Sequence, residues 1–524
     1  MFDLIIKNAR LIDGSGVPSF EGALAVKDGR IAKIWHGRPE ETAEAAEVFD
    51  AAGKVLSPGF IDIHCHSDET FYDYPTAESK ILQGVTTDVG GNCGISLAPL
   101  RQEYKDLLRS YVGPAPYEWE SFGEFLDYVE TQVRPSENFA CGVGHGAIRI
   151  AAMGFEPRKA TAAEMEDMKA MLRASFDEGA YFLSSGLIYA PGTFADEEEL
   201  TDLSRVAAQY GTFYATHMRN ENLHIFDALP EAIRIAENSG ASLQISHHKL
   251  IRREMWGRST ETLQLIEDAR NRGVDAWADQ YPYIASSTYY ASNLPSWVYE
   301  GGVPALLARL ADPVTRARIL KETEEICHGR WGDIFLGYAK HPDDKKYIGK
   351  STEEIAEMMG VTPAEACLSI VTRNGNDASE VNFGMCEEDV ERIMQAPFVM
   401  TGSDGWCYGL DFPGKPHPRS YGAFPRVLGH YCRERGLFPL ETAVHKMTGM
   451  PAKRMGFADR GLLKEGNWAD LCVFDPETII DDPTYLDPCK PCSGIARVYV
   501  NGVLTAENGV HTGARSGQVL RRKY

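Results

Sequence analysis

The sequence predicts an α/β protein: a (β/α)8 TIM-like barrel, with a small β-sandwich built from both chain ends and an inserted subdomain. Short buried strands alternate with helical stretches between residues 58 and 455. Both ends of the chain contain short strands and glycine turns without long helices. The connection between the seventh and eighth strands is far too long for one βα unit, so it predicts the inserted subdomain.

The barrel prediction depends on the number of alternating units. Helical candidates such as Ala162–Glu178 and Leu223–Ser239 lie between the strands. Eight parallel strands connected by helices are typical of a closed barrel. The predicted strands are Gly59–His66, Val85–Val89, Phe139–Val143, Ala180–Ser184, Thr212–His217, Ser242–His247, Val274–Asp279 and Phe398–Asp404.

The domain boundaries follow from the same pattern. Residues 1–57 and 456–524 should pair into one β-sandwich, which makes the barrel of residues 58–455 an insertion between two halves of one module. The stretch Asp28-Gly29 between two apolar runs is a tight-turn signal in the N-terminal half. The barrel's own insertion is predicted at about 285–345, where four prolines interrupt the chain.

Composition and charge exclude several classes of partner. The 524 residues carry 53 basic and 75 acidic side chains, a formal charge of −22. An acidic surface repels nucleic acid and anionic membranes. No apolar run is long enough for a membrane span, and charges interrupt the start where a signal peptide would need an apolar stretch. The 11 scattered cysteines suit a reducing cytoplasm. We expect a cytoplasmic monomer or small homo-oligomer with a small-molecule substrate.

Metal-capable side chains recur at the ends of the predicted strands. His64 and His66 are two residues apart, so along a strand they point to the same face. Functional residues of a barrel cluster at the carboxyl ends of its strands. The other metal-capable residues at such positions are Cys93, His217, His247 and Asp404. The sequence therefore predicts a metal site.

The ligand types favour Zn²⁺ over other metals. Imidazole, thiolate and carboxylate together suit zinc, whereas a thiolate disfavours Mg²⁺ and Ca²⁺. The residues divide into two adjacent groups: Cys93, His217 and His247 with one open position, and His64, His66 and Asp404. Three ligands with an open position are the catalytic pattern. We expect the first group to hold zinc tightly and the second to form a weaker site.

Two motifs resemble the amidohydrolase superfamily: Gly-Phe-Ile-Asp-x-His-x-His at 59–66 and Ala-Asp-Leu-x-Val-Phe-Asp at 469–475. Within it the chain is similar to the D-aminoacylase (N-acyl-D-amino-acid deacylase) family. The motifs that carry this second resemblance are Gly-Asn-Cys-Gly at 91–94, Ile-Ser-His-His-Lys at 245–249, Tyr-Pro-Tyr at 281–283 and the segment 417–427.

The resemblance implies zinc-dependent hydrolysis of N-acyl-D-amino acids to a carboxylate and a free D-amino acid, with Cys93 bridging two metal positions. Hydantoinases and dihydroorotases bridge their metals with a carboxylated lysine on strand four, and this chain has no lysine there. A cyclic amidase of that kind remains an alternative. A catalytically inactive scaffold with the same fold is another, although such relatives typically lose metal ligands.

Roles for individual residues follow from metal chemistry and from the resemblance. Zinc lowers the pKa of a bound water to about 7, and Asp404 is placed to take its proton and pass it to the leaving amine. Tyr189 is a candidate for stabilising the tetrahedral oxygen, against a plain packing role. By resemblance, the anchors for the substrate α-carboxylate are Lys249, Tyr281, Ser287 and Arg419.

Three further residues and one loop compete with this assignment. Cys65 and His248 each neighbour a ligand and should point to the opposite face. His145 ends strand three and could line the pocket. The loop 406–416 is rich in aromatic residues, and it could narrow the pocket or only pack.

Overall fold

The computed structural model describes residues 1–524. Its strands, in chain order, are β1 (Phe2–Leu11), β2 (Phe20–Lys27), β3 (Arg30–His36), β4 (Ala45–Asp50), β5 (Val55–Pro58), β6 (Phe60–Asp62), β7 (Val85–Gly90), β8 (Asn138–Cys141), β9 (Val143–Gly144), β10 (Leu183–Gly186), β11 (Phe213–His217), β12 (Ser242–Ile245), β13 (Ala276–Gln280), β14 (Ser286–Tyr289), β15 (Ile334–Ala339), β16 (Ala378–Asn382), β17 (Val399–Thr401), β18 (Leu471–Phe474), β19 (Ile495–Val500), β20 (Val503–Glu507) and β21 (Val510–His511).

The α-helices are α1 (Glu78–Ile81), α2 (Lys105–Val112), α3 (Phe122–Tyr128), α4 (His145–Met153), α5 (Ala162–Asp177), α6 (Glu197–Gln209), α7 (Ile225–Ser239), α8 (Ser259–Asn271), α9 (Gly302–Ala311), α10 (Pro313–Cys327), α11 (Thr352–Met359), α12 (Pro363–Asn374), α13 (Glu387–Gln395), α14 (Arg419–Arg426), α15 (Leu440–Lys446) and α16 (Gly449–Met455).

The body of the protein is built on parallel strands in two runs. One run has the order β6-β7-β8, and the other has the order β9-β10-β11-β12-β13 with β17 beside β13. Only Gly142 separates β8 from β9. Next to β6 and β17, the amide of Asp404 donates to the carbonyl of His64 at 2.7 Å, and the amide of His66 donates to Gly405 at 3.0 Å. The predicted α/β alternation is confirmed.

Local signals explain where the helices of this body begin and end. Thr161 and Glu164 form a reciprocal capping box at the start of α5, as the spacing of a Thr and a Glu three residues later predicts. Gly240 ends α7 in the left-handed conformation that glycine adopts without strain. The helices pack against the parallel strands, so that Leu203 of α6 and Leu243 of β12 belong to the same apolar core.

The first strand differs from its prediction over Gly59–His66. The regular strand β6 ends at Asp62, and the two histidines follow it in an irregular segment. Cys65 still makes a parallel bridge to Gly405, so the alternation of side chains continues beyond the strand. The thiol of Cys65 donates to the carbonyl of Val89, while both histidines turn to the opposite side.

Strands from both ends of the chain form one sheet of nine strands. Its order is β21-β20-β19-β18-β5-β1-β2-β3, and β4 pairs with β1. The link between the two ends is the antiparallel pair β5 and β18, in which Leu56 lies opposite Val473. The chain therefore leaves this sheet once, after β5, and returns to it after the parallel strands are complete.

The connection from β13 to β17 contains its own small sheet, in the antiparallel order β14-β16-β15. Its middle strand, β16, lies well beyond the predicted end of the insertion at residue 345, because pairing of a short distant strand leaves no local signal in the sequence. No single helix of the protein is long and apolar enough to cross a membrane. The pair α11 and α12, bent by 90°, passes that test jointly on length and composition alone.

Candidate metal centre

The metal-capable residues meet where the parallel strands end. His217 is the last residue of β11, Cys93 follows β7, and His247 follows β12. Three of these ligand candidates have backbone φ angles that non-glycine residues rarely adopt: 53° at Cys93, 37° at His247 and 52° at Asp404. Such strain costs on the order of 1 kcal/mol per residue and clusters at functional sites.

The donor atoms of these side chains crowd around a common space. The thiol sulfur of Cys93 lies 3.3 Å from Nε2 of His64 and 3.3 Å from Nε2 of His247. Nδ1 of His217 lies 3.0 Å from Nε2 of His247. Ligands of one tetrahedral zinc lie about 3.3–3.8 Å apart, given zinc–ligand bonds of roughly 2.0–2.3 Å. The arrangement therefore fits a bound cation.

Asp404 closes the other side of this space. Its Oδ1 lies 3.2 Å from Nε2 of His66 and 3.5 Å from Nε2 of His64. One ligand atom from each of His64, Cys93, His247 and Asp404 lies within 4.8 Å of the others. Cys93 contacts histidines of both predicted groups, so it stands between the two predicted metal positions.

A carboxylate lies behind each of the four imidazoles, a feature that the sequence did not predict. Nδ1 of His64 is 2.9 Å from Asp279, and Nδ1 of His66 is 2.8 Å from Glu69. Glu221 contacts two imidazole rings: it lies 3.3 Å from Nε2 of His217 and 3.0 Å from Nδ1 of His247. Metal-binding histidines usually donate their second ring nitrogen to such a partner, which fixes the ring and its tautomer.

The electrostatics of the buried site suit a cation. Burial alone would lower the pKa of His64, but Asp279 and Cys93 outweigh it and raise that pKa to about 10. The pKa of the Cys93 thiol lies well below its usual range, because His247 and His64 overcome the effect of burial. Deprotonated sulfur and carboxylate thus concentrate negative charge where the imidazole nitrogens converge, which is the environment a zinc ion requires.

A second buried network holds the turns that carry the ligands. The ammonium of Lys80 donates to Asp62 at 2.7 Å and to the hydroxyl of Ser403 at 2.9 Å. The other oxygen of Asp62 accepts the backbone amide of Ser403 at 2.8 Å. This network connects β6, which precedes His64 and His66, with the segment that carries Asp404.

All five predicted substrate-binding residues line one cavity of about 180 Å³ beside the metal ligands: Tyr189, Lys249, Tyr281, Ser287 and Arg419. Lys249 is 2.7 Å from Glu221, and Arg419 is 2.8 Å from Asp404. The hydroxyl of Tyr189 bonds to Thr288 at 2.8 Å. The structure thus places both cations next to carboxylates of the site.

The competing residues lie outside this constellation. Nε2 of His248 bonds to Thr262 at 2.9 Å, and burial lowers the pKa of His248 to about 4. His145 pairs with the buried carboxylate of Glu199 at 2.8 Å. In the 406–416 loop, Trp406 does line the cavity, where its ring centre lies 5.5 Å from that of His66.

Known proteins are similar to this chain over its whole length. The model of the amidohydrolase family matches residues 47–506. A D-aminoacylase from Alcaligenes xylosoxydans xylosoxydans is 38% identical over 525 residues, which cover 99% of this chain and 98% of that protein. A solved D-aminoacylase structure with a binuclear metal centre covers both chains fully, at 38% identity and a TM-score of 0.84.

A second solved structure is that of an enzyme with a different substrate. It is the N-acyl-D-glutamate deacylase from Bordetella bronchiseptica, in complex with zinc and a phosphonate that mimics the tetrahedral intermediate. It is 36% identical, covers 99% of this chain and 100% of its own, and superimposes with a TM-score of 0.84. The chain belongs to the amidohydrolase family and, within it, to the D-aminoacylase group.

Proposed function

We propose that the protein hydrolyses N-acyl-D-amino acids to a carboxylate and a free D-amino acid in a zinc-dependent reaction. The observation that carries this proposal is the convergence of four carboxylate-backed imidazoles, one thiolate and Asp404 beside a cavity. The activities of the relatives, D-aminoacylase and N-acyl-D-glutamate deacylase, support the substrate class and its handedness.

The donor set supports a tight zinc position at Cys93, His217 and His247, and a weaker one at His64, His66 and Asp404. Thiolate and imidazole favour zinc over hard cations. Cys93 is suited to bridge, because its sulfur is 3.3 Å from a histidine of each group. When bound, zinc supplies positive charge that polarises an amide carbonyl and makes water a nucleophile at neutral pH.

Asp404 is the group placed to move protons in this reaction. Its side chain is 10% exposed, so it can meet substrate without opening to bulk solvent. Burial would raise the pKa of Asp404, but Arg419 and the histidines hold it well below its usual range. The carboxylate is therefore ionised and ready to accept a proton from water, which it can then donate to the leaving nitrogen.

The amino-acid part of the substrate would lie against the cationic side of the cavity. Arg419 and Lys249 bring positive charge, and the guanidinium of Arg419 stacks over the ring of Tyr281 with 4.7 Å to its centroid. The hydroxyl of Tyr281 is buried without a protein partner, so it is free to donate to a carboxylate. Ser287 and Tyr189 complete the proposed contacts.

The chemistry of β10 disfavours the cyclic-amidase alternative. In place of the bridging lysine that hydantoinases and dihydroorotases are expected to carry, the strand presents Ser184 and Ser185. Both hydroxyls are engaged, with Ser184 donating to Gly91 at 2.6 Å and Ser185 bonded to Tyr214 at 2.6 Å. An inactive scaffold is disfavoured because the whole ligand set is retained.

The finer architecture belongs to the same proposal. We infer a closed (β/α)8 barrel at residues 58–455, supported by the hydrogen bonds that join the segments after β6 and β17. Residues 1–57 and 456–524 form its β-sandwich module, and the inserted subdomain follows the seventh strand. A cytoplasmic monomer or small homo-oligomer without a nucleic-acid or membrane partner fits the charge of −22.

The test compares two buried cysteines. The sulfur of Cys93 lies among the candidate ligands, whereas the thiol of Cys65 donates to the carbonyl of Val89. Cys93→Ser should lower zinc content and abolish release of amino acid from N-acetyl-D-amino acids, whereas Cys65→Ser should retain both. Metal analysis and an amine-release assay on D- and L-substrates measure this. Hydrolysis of hydantoins instead, equal activity on L-substrates, or wild-type protein inactive after zinc addition would contradict the proposal.

A further inference from the structure

The wall of the cavity carries a third cation, which the proposed reaction does not use. Arg330 lies in the connection between β13 and β17, just after α10 ends at Cys327. His328 and Gly329 both have positive φ angles, 49° and 70°, which reverse the chain. The amide of Arg330 donates to the carbonyl of Cys327 at 3.0 Å, so this turn fixes the backbone that directs the side chain.

The guanidinium of Arg330 lacks a protein acceptor. Its Nε and Nη1 atoms are buried, and neither makes a hydrogen bond to the protein. A buried donor left without a partner costs about 1–3 kcal/mol, and more when it carries charge. The structure therefore contains a preformed site for an acceptor that comes from outside the chain.

The nearby acids are each held by another side chain. Glu324 accepts from the indole of Trp331 at 3.2 Å. Glu380 accepts from the side-chain amide of Asn293, and burial raises the pKa of Glu380 to about 7 despite its hydrogen bonds. Neither carboxylate is within salt-bridge distance of Arg330, unlike the partners of the other two cations in the cavity.

The other two cations of the cavity, Lys249 and Arg419, differ from Arg330 because each forms an ion pair with a carboxylate. Lys249 is 2.7 Å from Glu221, and Arg419 is 2.8 Å from Asp404. They flank the metal ligands and suit the α-carboxylate of the substrate. Arg330 reaches the same cavity from the insertion and not from the ends of the parallel strands, so it is available to a part of the substrate other than the α-carboxylate.

We propose that Arg330 binds a second carboxylate of the substrate, so that the enzyme prefers N-acyl-D-amino acids with two anionic groups. This inference rests on the proposed function. A guanidinium donates to a carboxylate through two parallel hydrogen bonds, which makes it selective for a planar anion. The second carboxylate can belong to the amino-acid side chain or to a dicarboxylic acyl group, and both sources present the same chemistry to Arg330.

The experiment compares kcat/KM for four substrates: N-acetyl-D-glutamate, N-succinyl-D-leucine, N-acetyl-D-glutamine and N-acetyl-D-leucine. We expect the wild-type protein to favour one of the first two by at least about 10-fold over the two substrates with a single carboxylate, since a charge-assisted hydrogen bond contributes about 1.5–3 kcal/mol. Whichever dicarboxylate is favoured identifies the source of the second anion.

Arg330→Gln should reduce the preference for the dicarboxylate by about 10- to 100-fold, mainly through KM. Arg330→Lys should recover part of it, because it keeps charge but loses the bidentate geometry. Arg252→Gln is the matched control: this nearby guanidinium donates to the carbonyl of Ile326 at 3.1 Å and is not part of the cavity wall. The control should leave the substrate preference unchanged.

The outcomes separate this inference from the proposed function. If N-acetyl-D-glutamine and N-acetyl-D-leucine are hydrolysed and kcat/KM is no higher for either dicarboxylate, the role of Arg330 is overturned and the proposed function stands. Failure to hydrolyse any of these substrates with zinc present overturns both. An equal loss for all four substrates in Arg330→Gln shows a structural role only.

Discussion

At the scale of single residues, the carboxylates beside the second ring nitrogens of the histidines hold the rings in the orientation that a metal needs. Glu221 touches the outer nitrogens of both His217 and His247, whereas Glu69 supports only His66. Losing an outer partner typically lowers metal affinity 10- to 100-fold. Because Glu221 contacts two ligands of the proposed tight position, substituting it should lower metal affinity more than substituting Glu69 does.

Glu221→Gln tests this directly. We expect zinc affinity, measured by competition with a chelator, to fall about 10- to 100-fold, with activity restored by excess zinc. Glu69→Gln is the comparison and should affect the tight metal less. If both variants kept wild-type affinity, the carboxylates would be structural only.

Asp404 is the other residue with a separable role. Asp404→Asn keeps the shape of the side chain but removes the proton acceptor, so kcat should fall by about 10²–10⁴-fold. The tight zinc should remain, because Cys93, His217 and His247 do not depend on this oxygen. Metal analysis alongside steady-state kinetics distinguishes the two effects, and near-normal turnover would show that another group moves the proton.

At the scale of elements, the Lys80 network determines how the strand ends face each other. Lys80, Asp62 and Ser403 are fully buried, and they join β6 to the turn before Asp404. Burial would lower the pKa of Lys80, but Asp62 and Asp88 raise it, so the ammonium is charged at every ordinary pH. Removing it would leave buried carboxylates without compensation.

Lys80→Met should therefore destabilise the protein by about 3–5 kcal/mol, the usual result of breaking one half of a buried ion pair. The loss should appear in denaturant unfolding. Lys453→Met, at an exposed lysine of α16, is the control and should change stability by less than about 0.5 kcal/mol. A stable Lys80→Met protein would mean that β6 and the Asp404 turn hold together without this ion pair.

The sequence was informative at this scale where the signal is local. The six ligand candidates lie at or after the ends of predicted strands, and the helix α5 begins at Ala162, as predicted. Glu69 and Glu221 were missed because an acid three or four residues after a histidine looks like any solvated acid. Asp279 was missed as a partner because it reaches His64 from another strand, a contact that no local pattern records.

Longer-range pairing limited the rest of the prediction. The sequence placed the insertion after β13, but not its extent, since β16 joins β14 and β15 across many residues of helix. Nothing in the sequence around Arg330 predicted a binding role for it. Its importance comes from lacking a partner in the folded protein, which is a property of the three-dimensional packing and not of the residues beside it.

At the scale of the whole molecule, the C-terminal tail closes the face opposite the metal centre. Phe139 of β8 donates its amide to Gln518 at 2.9 Å and accepts from Leu520 at 2.7 Å. The hydroxyl of Tyr524 donates to the carbonyl of Ala180 at 2.7 Å. These contacts lie at the amino ends of the parallel strands, where residues of such folds contribute to stability and not to chemistry.

Removal of residues 518–524 should therefore separate stability from function. The loss of several hydrogen bonds, each contributing about 1 kcal/mol, should lower the apparent Tm on the order of 5 °C at a fixed scan rate. Zinc content and kcat at 25 °C should stay near wild type, because the ligands lie at the other ends of the strands. Tyr524→Phe, which removes one hydroxyl and keeps the ring against Phe176, should show only a small part of the effect. If truncation released zinc without lowering Tm, the two faces would be coupled through the strands, and the tail would be a determinant of the site itself.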